Sequence, residues 1–182
     1  MTTAIAYSRK AFTGVVVALT VLWSIGAAAL ISPLVAQSAV ALADLSDGDL
    51  IMTDGAAAGA TVYVHNDGKK YPFPNAKIYG SWYGDDFSDV MRISAEDMGS
   101  LAWGSNMLYR PGSRLIKVPD DPKVYAVLPG GTVAWVKDEA TAQKFYGDSW
   151  AGRVDDLLAS LFVADYTNDP NMDLTADSNY PD

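Results

Sequence analysis

Hydrophobic and polar positions follow three regimes along the chain. From Ala11 to Ala43 there is no charged residue, and the densest apolar run is VVVALTVLWSIGAAALISPLV. From Leu50 onward the apolar residues fall in short runs that alternate with polar ones at the period of a half-buried strand, or recur at helical spacing. After Tyr166 the pattern fades, because YTNDPNMDLTADSNYPD holds few large apolar side chains and many turn formers.

In the middle regime TVYVHNDGKKYPF sets two strand-patterned runs around Asn66-Asp67-Gly68, and Asp-Gly between such runs is a strong hairpin signal. KVYAVLPGGTVAWV does the same around Pro129-Gly130-Gly131. A further short strand, DLIM or RLIKV, precedes each hairpin, so both regions predict a three-stranded antiparallel meander. MLYRPGSRLIKV predicts another hairpin around Pro111-Gly112. Asn75 and Asp138 stand where helix N-caps are wanted, ahead of AKIYGSWYG and EATAQKFYG, which Gly84 and Gly147 would close. SAEDMGSL predicts a further short helix, with Ser94 and Asp97 in capping-box relation.

The chain also matches itself: Leu50-Ile51 with Leu115-Ile116, Val62-Tyr63 with Val124-Tyr125, Gly68 with Gly131, and Tyr83-Gly84-Asp85 with Tyr146-Gly147-Asp148. The expected fold is therefore α+β, mostly β: two repeats of a three-stranded antiparallel meander followed by short helices. One meander with one small helix buries too little alone, so the repeats are expected to pack as one unit. The expected divisions are residues 1–43 as a signal peptide or N-terminal membrane segment, 44–106 and 107–166 as the two repeats, and 167–182 as an extended or disordered tail.

Charge and composition narrow the picture. The chain has 182 residues, 49% hydrophobic, with a formal net charge of −9. Arg9 and Lys10 are the only charged residues before Asp44, so the remainder is more acidic still and a poor partner for nucleic acid. Cysteine is absent and His65 is the one histidine, which excludes disulfides, thiolate chemistry and multi-histidine metal sites. Arg9 and Lys10 form the positive flank of an export signal, and Ala41-Leu42-Ala43 offers small residues to a signal peptidase just ahead of DLSDGD. Cleavage is expected after Ala43. Uncleaved, residues 11–36 would anchor the chain in a membrane, and in both cases the acidic remainder lies outside the cytoplasm.

GDLIM, VYVHNDGKKYPFPNAKIYGSWYGDDFSDV, MLYRPGSRLIKV, DPKVYAVLPGGTVAWV and YPD together resemble a module found, often in tandem, in exported surface proteins of small-genome bacteria of the candidate phyla radiation. The resemblance implies an envelope or extracellular protein with no established enzymatic activity and no catalytic residues to carry over.

The residues themselves offer few sites. Trp82 and Trp150 occupy self-matching aromatic positions and read as core, whereas Trp103, in the unmatched AWGSN, is the better candidate for an exposed sugar-stacking ring. Asp85, Asp86 and Asp89 invite an acid-base reading, but the matching stretch FYGDSW has Ser149 in place of Asp86, and one acid suffices for a cap. Asp86 alone keeps a claim to ligand chemistry. His65 reads as a surface or edge-strand residue. The acids of the tail do not fit a calcium loop. The function expected is a non-catalytic, exported structural or interaction module of the cell envelope, with a carbohydrate-binding module as the alternative. Neither cofactor nor metal is expected, and the partners are other envelope proteins, the protein itself, or glycans.

Overall fold

The computed structural model describes residues 39–56 and 60–179. The uncharged stretch before Ala39 lies outside the described residues. What is described is a strand-rich α+β fold with two five-stranded mixed sheets and four helices.

The first sheet is built from β1 (Leu50–Thr53), β2 (Tyr63–Asn66), β3 (Lys69–Pro72), β4 (Met91–Ile93) and β5 (Ala102–Trp103), in the order β4-β1-β2-β3-β5. β1, β2 and β3 pair antiparallel, while β4 lies parallel to β1 and β5 parallel to β3. The β2–β3 link is the two residues Asp67-Gly68, both at positive φ (51° and 68°), as a tight turn that follows the twist of the strands requires. The second sheet contains β6 (Leu115–Lys117), β7 (Tyr125–Val127), β8 (Thr132–Trp135), β9 (Val154–Asp156) and β10 (Thr167–Asn168), in the order β9-β6-β7-β8-β10. Here too the central three strands are antiparallel and the outer two are parallel to their neighbours.

The antiparallel triplets are thus the centres of larger mixed sheets, not free-standing three-stranded meanders. The added edge strands have two or three residues each, too few to display a period. They are placed by parallel pairing after a helical crossover, which local sequence does not announce. The segment before β6 also departs from expectation: residues 107–110 form no hairpin with β6, because the Met107 amide donates instead to the Pro72 carbonyl at 2.8 Å.

The helices are α1 (Ala76–Tyr83), α2 (Ala95–Ser100), α3 (Glu139–Tyr146) and α4 (Ala159–Asp165). Asn75 accepts from the Ile78 amide at 2.9 Å and Asp138 from the Thr141 amide at 2.8 Å, each satisfying a first-turn donor that has no partner within the helix. Ser94 caps α2 by accepting from the Asp97 amide at 3.0 Å and returns a hydroxyl to the Asp97 carboxylate at 2.8 Å.

Strand alternation divides the apolar residues among three clusters. Ile51 and Ile93 face Met98 and Leu101 on one side of the first sheet, with Val40, Leu42 and Leu45 against them. Leu50 and Val64, on the other side, join Ile78 and Tyr79 of α1 and continue into Ile116, Tyr125 and Val127 of the second sheet. Leu115 and Ala126 turn away from that cluster, toward Ala142 and Tyr146 of α3 and toward Leu174. The described part of the expected tail is accordingly docked: the Leu174 amide donates to Trp135 at 2.8 Å and its side chain is 2% exposed.

Candidate functional site

Phe73, at the end of β3, meets Tyr79 of α1 edge-on, with ring centroids 5.2 Å apart. Phe87, in the loop after α1, stacks on Tyr79 at 4.4 Å with the planes 5° apart. These rings, with Met52, Val62 and Arg92, line a cavity of about 520 Å³, within the size range of small-molecule sites. Arg92 reaches it because β4 lies beside β1 in a register that pairs Arg92 with Met52. The two residues share the face of the first sheet that α1 covers. Sequence reasoning missed this cavity. Its residues come from β1, the links β1–β2 and β3–α1, α1 with the loop after it, and β4, and only the parallel β1–β4 pairing brings Arg92 beside Met52.

Asp86 does not line the cavity. Its carboxylate accepts from the Ser88 amide at 2.9 Å, and that backbone bond, helped by the Ser88 side chain, holds the carboxyl below its usual range. Its backbone carbonyl accepts the Tyr79 hydroxyl. Burial first, then the Asp86 charge, raises the Tyr79 phenol. Asp86 therefore organises the turn that positions Phe87, with its carboxylate already engaged by the backbone.

Trp103 lies elsewhere, on the edge strand β5, and is 65% exposed. Tyr63 meets it edge-on at 5.9 Å, and the Lys70 ammonium lies 4.5 Å from its ring centre while donating to the Met98 carbonyl at 2.6 Å. The structure does not bring Trp103 and Asp86 into one site. Trp82 instead packs against the apolar cluster between the sheets and donates its indole N–H to Leu108 at 2.7 Å. Trp150 packs beside α3.

His65 is a correction. β2 is the central strand of its sheet, so His65 is buried, 8% exposed, with Nδ1 3.0 Å from the Ser46 carbonyl. The strand pattern was legible, but the strand's position in the sheet was not.

A smaller cleft of about 230 Å³ is lined by Lys123, Trp135, Lys137 and Trp150 in the second half of the chain. The ammonium groups of Lys137 and Lys123 lie 3.7 and 4.8 Å from the Trp135 ring centre.

A polar cluster around one buried carboxylate joins α1 to the second sheet. Asp155 of β9, with its side chain 2% exposed, meets the Lys77 ammonium at 2.9 Å and receives Arg114 in a two-pronged contact, with Nη2 at 3.0 Å from Oδ1. Burial alone would raise the Asp155 carboxyl, but the hydrogen bonds from Arg114 and Lys77 outweigh it and hold it below the usual range. The Tyr109 hydroxyl is buried beside Asp155, and burial first, then the Asp155 carboxylate by its charge and as a hydrogen-bond acceptor, pushes its phenol far up.

Among the described residues no group of three or more histidine or acidic side chains is placed to hold a metal ion, and no helix is long and apolar enough to cross a membrane. No family model, curated protein or solved structure matches the chain.

Proposed function

We propose that the protein is a non-catalytic, exported module of the cell envelope, built from two meander-and-helix repeats in series and acting as a structural or interaction part. The observation that carries this reading is the apolar cluster shared between the sheets, where Ile78 and Tyr79 of α1 join Ile116, Tyr125 and Val127. Units that bury a common face stack into a stiff element and leave their remaining surfaces for partners. The common order of the two sheets and the matching caps Asn75 and Asp138 support the duplication. The uncharged stretch behind Arg9 and Lys10 supplies the address. Its partners are other envelope proteins or further copies of itself. Fractionation and surface proteolysis of producing cells test the reading: the protein should be surface-accessible and sediment in an assembly. Recovery from the cytoplasm would overturn it.

A second reading, a carbohydrate-binding module, is favoured by one observation, the 65% exposure of Trp103 with one side braced by Lys70. Saturable binding on a glycan array that disappears in Trp103→Ala would establish it over the first.

A further inference from the structure

We propose that the cavity beside α1 is a binding site for a small organic acid with a flat, apolar body. The cavity of about 520 Å³ is walled by Met52, Val62, Phe73, Tyr79 and Phe87, and among the described residues Arg92 is the only charged side chain lining it. The Tyr79–Phe87 stack, 5° from parallel, fixes a flat aromatic wall, and Phe87 is 52% exposed at its outer side. Such walls select a planar apolar body by contact area and ring stacking.

Charge complementarity selects the other end of the ligand. Arg92 takes part in none of the ion pairs among the described residues, although the chain carries 22 acidic side chains. The corresponding register position of the second sheet shows the contrast. There β6 and β9 place Lys117 opposite Asp156, with their charged atoms 3.9 Å apart, so the cation is answered from within the sheet. In the first sheet the same position holds Met52 opposite Arg92, and the guanidinium has no acid across from it. A carboxylate entering the cavity supplies the missing partner. A guanidinium beside apolar walls binds a carboxylate in a fixed, two-pronged geometry that a neutral amide does not match. This inference does not depend on the envelope reading, since it concerns a small ligand and not an assembly partner.

Calorimetry on the full chain, with 2-naphthoate, 2-naphthamide and glucuronate as probes, tests it. The shift of the Met52 methyl signal reports the location of binding. 2-Naphthoate should bind saturably and shift Met52, and 2-naphthamide should bind about tenfold more weakly, as the loss of one charge-assisted contact implies. Arg92→Gln should abolish the preference between the two probes, Arg92→Lys should retain part of it, and Phe87→Ala should weaken both. The proposal is overturned if 2-naphthoate does not bind saturably, if the acid and amide bind equally to the unaltered protein, or if Arg92→Gln leaves their ratio unchanged. Binding of glucuronate without 2-naphthoate would also overturn it, because the walls would then be selecting a polar ring.

Discussion

Lys77 of α1 and Asp155 of β9 lie 2.9 Å apart, one from each half of the chain, and Arg114 grips both oxygens of the same carboxylate. The pair closes the rim of the apolar cluster between the sheets. Asp155→Asn keeps the shape and removes the charge, so both cations lose their partner. Lys77 and Arg114 remain partly exposed, 61% and 32%, and can turn to water, which limits the cost. Denaturant unfolding should show a loss of roughly 1–3 kcal/mol, the range for hydrogen bonds to charged groups.

The same carboxylate sets a pH dependence. Its folded-state pKa lies below the unfolded value of about 3.9, so its contribution is fully present above that pH and is lost as the pH falls through the depressed folded value. Unfolding midpoints measured from pH 6 down to pH 2 should fall more steeply in the unaltered protein than in Asp155→Asn. Parallel curves would show that Asp155 does not carry the acid sensitivity.

Two glycines offer opposed outcomes. A Cβ added at Gly104 would fall on the Tyr71 ring, 2.6 Å from its Cζ, whereas one added at Gly80 meets nothing within 4 Å. Gly104→Ala must displace Tyr71 and should cost roughly 1–3 kcal/mol, as overpacking does. Gly80 lies inside α1, so Gly80→Ala should add roughly 0.5–1 kcal/mol by restricting the unfolded chain. Thermal melts of the two variants should move in opposite directions.

These contrasts show which parts of the fold were legible. The Asp67-Gly68 turn, the caps at Asn75, Asp138 and Ser94, and the helices they open were readable, because a cap or tight turn is decided within a few residues. Trp103 was readable as exposed for a similar reason, standing outside the self-matching pattern. The edge strands, the burial of His65 and the cavity at Arg92 were not, since each depends on which strand lies beside which. Asp86 looked like chemistry because its partner, the Ser88 amide, is a backbone group that sequence does not display.

Composition also hid the anchoring of the tail. Leu174 is the buried aliphatic residue in a polar stretch, 2% exposed against 38% for Met172. It fills a place beside Val136, Ala142 and Tyr146, while Lys137 bonds Asp173 and Lys144 donates to the carbonyls of Ala176 and Ser178 at 2.8 and 2.7 Å. Leu174→Ala should lower stability by roughly 2–4 kcal/mol, as for other buried leucines. Limited proteolysis should cut this segment in the variant under conditions that leave the unaltered protein whole.

The other end of the described chain bears on the export processing proposed for it. The Val40 amide donates to the Arg92 carbonyl at 2.8 Å, Val40 bridges to Ile93, and Val40 and Leu42 pack against the cluster of Ile51, Ile93, Met98 and Leu101. Cleavage after Ala43, where the small residues Ala41-Leu42-Ala43 invite it, would remove these contacts and leave Ile93 less covered. One backbone hydrogen bond and two half-buried aliphatic side chains amount to roughly 1–3 kcal/mol. A chain beginning at Asp44 should therefore melt at a lower temperature than one beginning at Ala39. Mass spectrometry of the protein recovered from producing cells should place its first residue at or before Ala39. Recovery of a chain beginning at Asp44, as stable as the longer form, would show that the strap over the first sheet contributes nothing to the folded state.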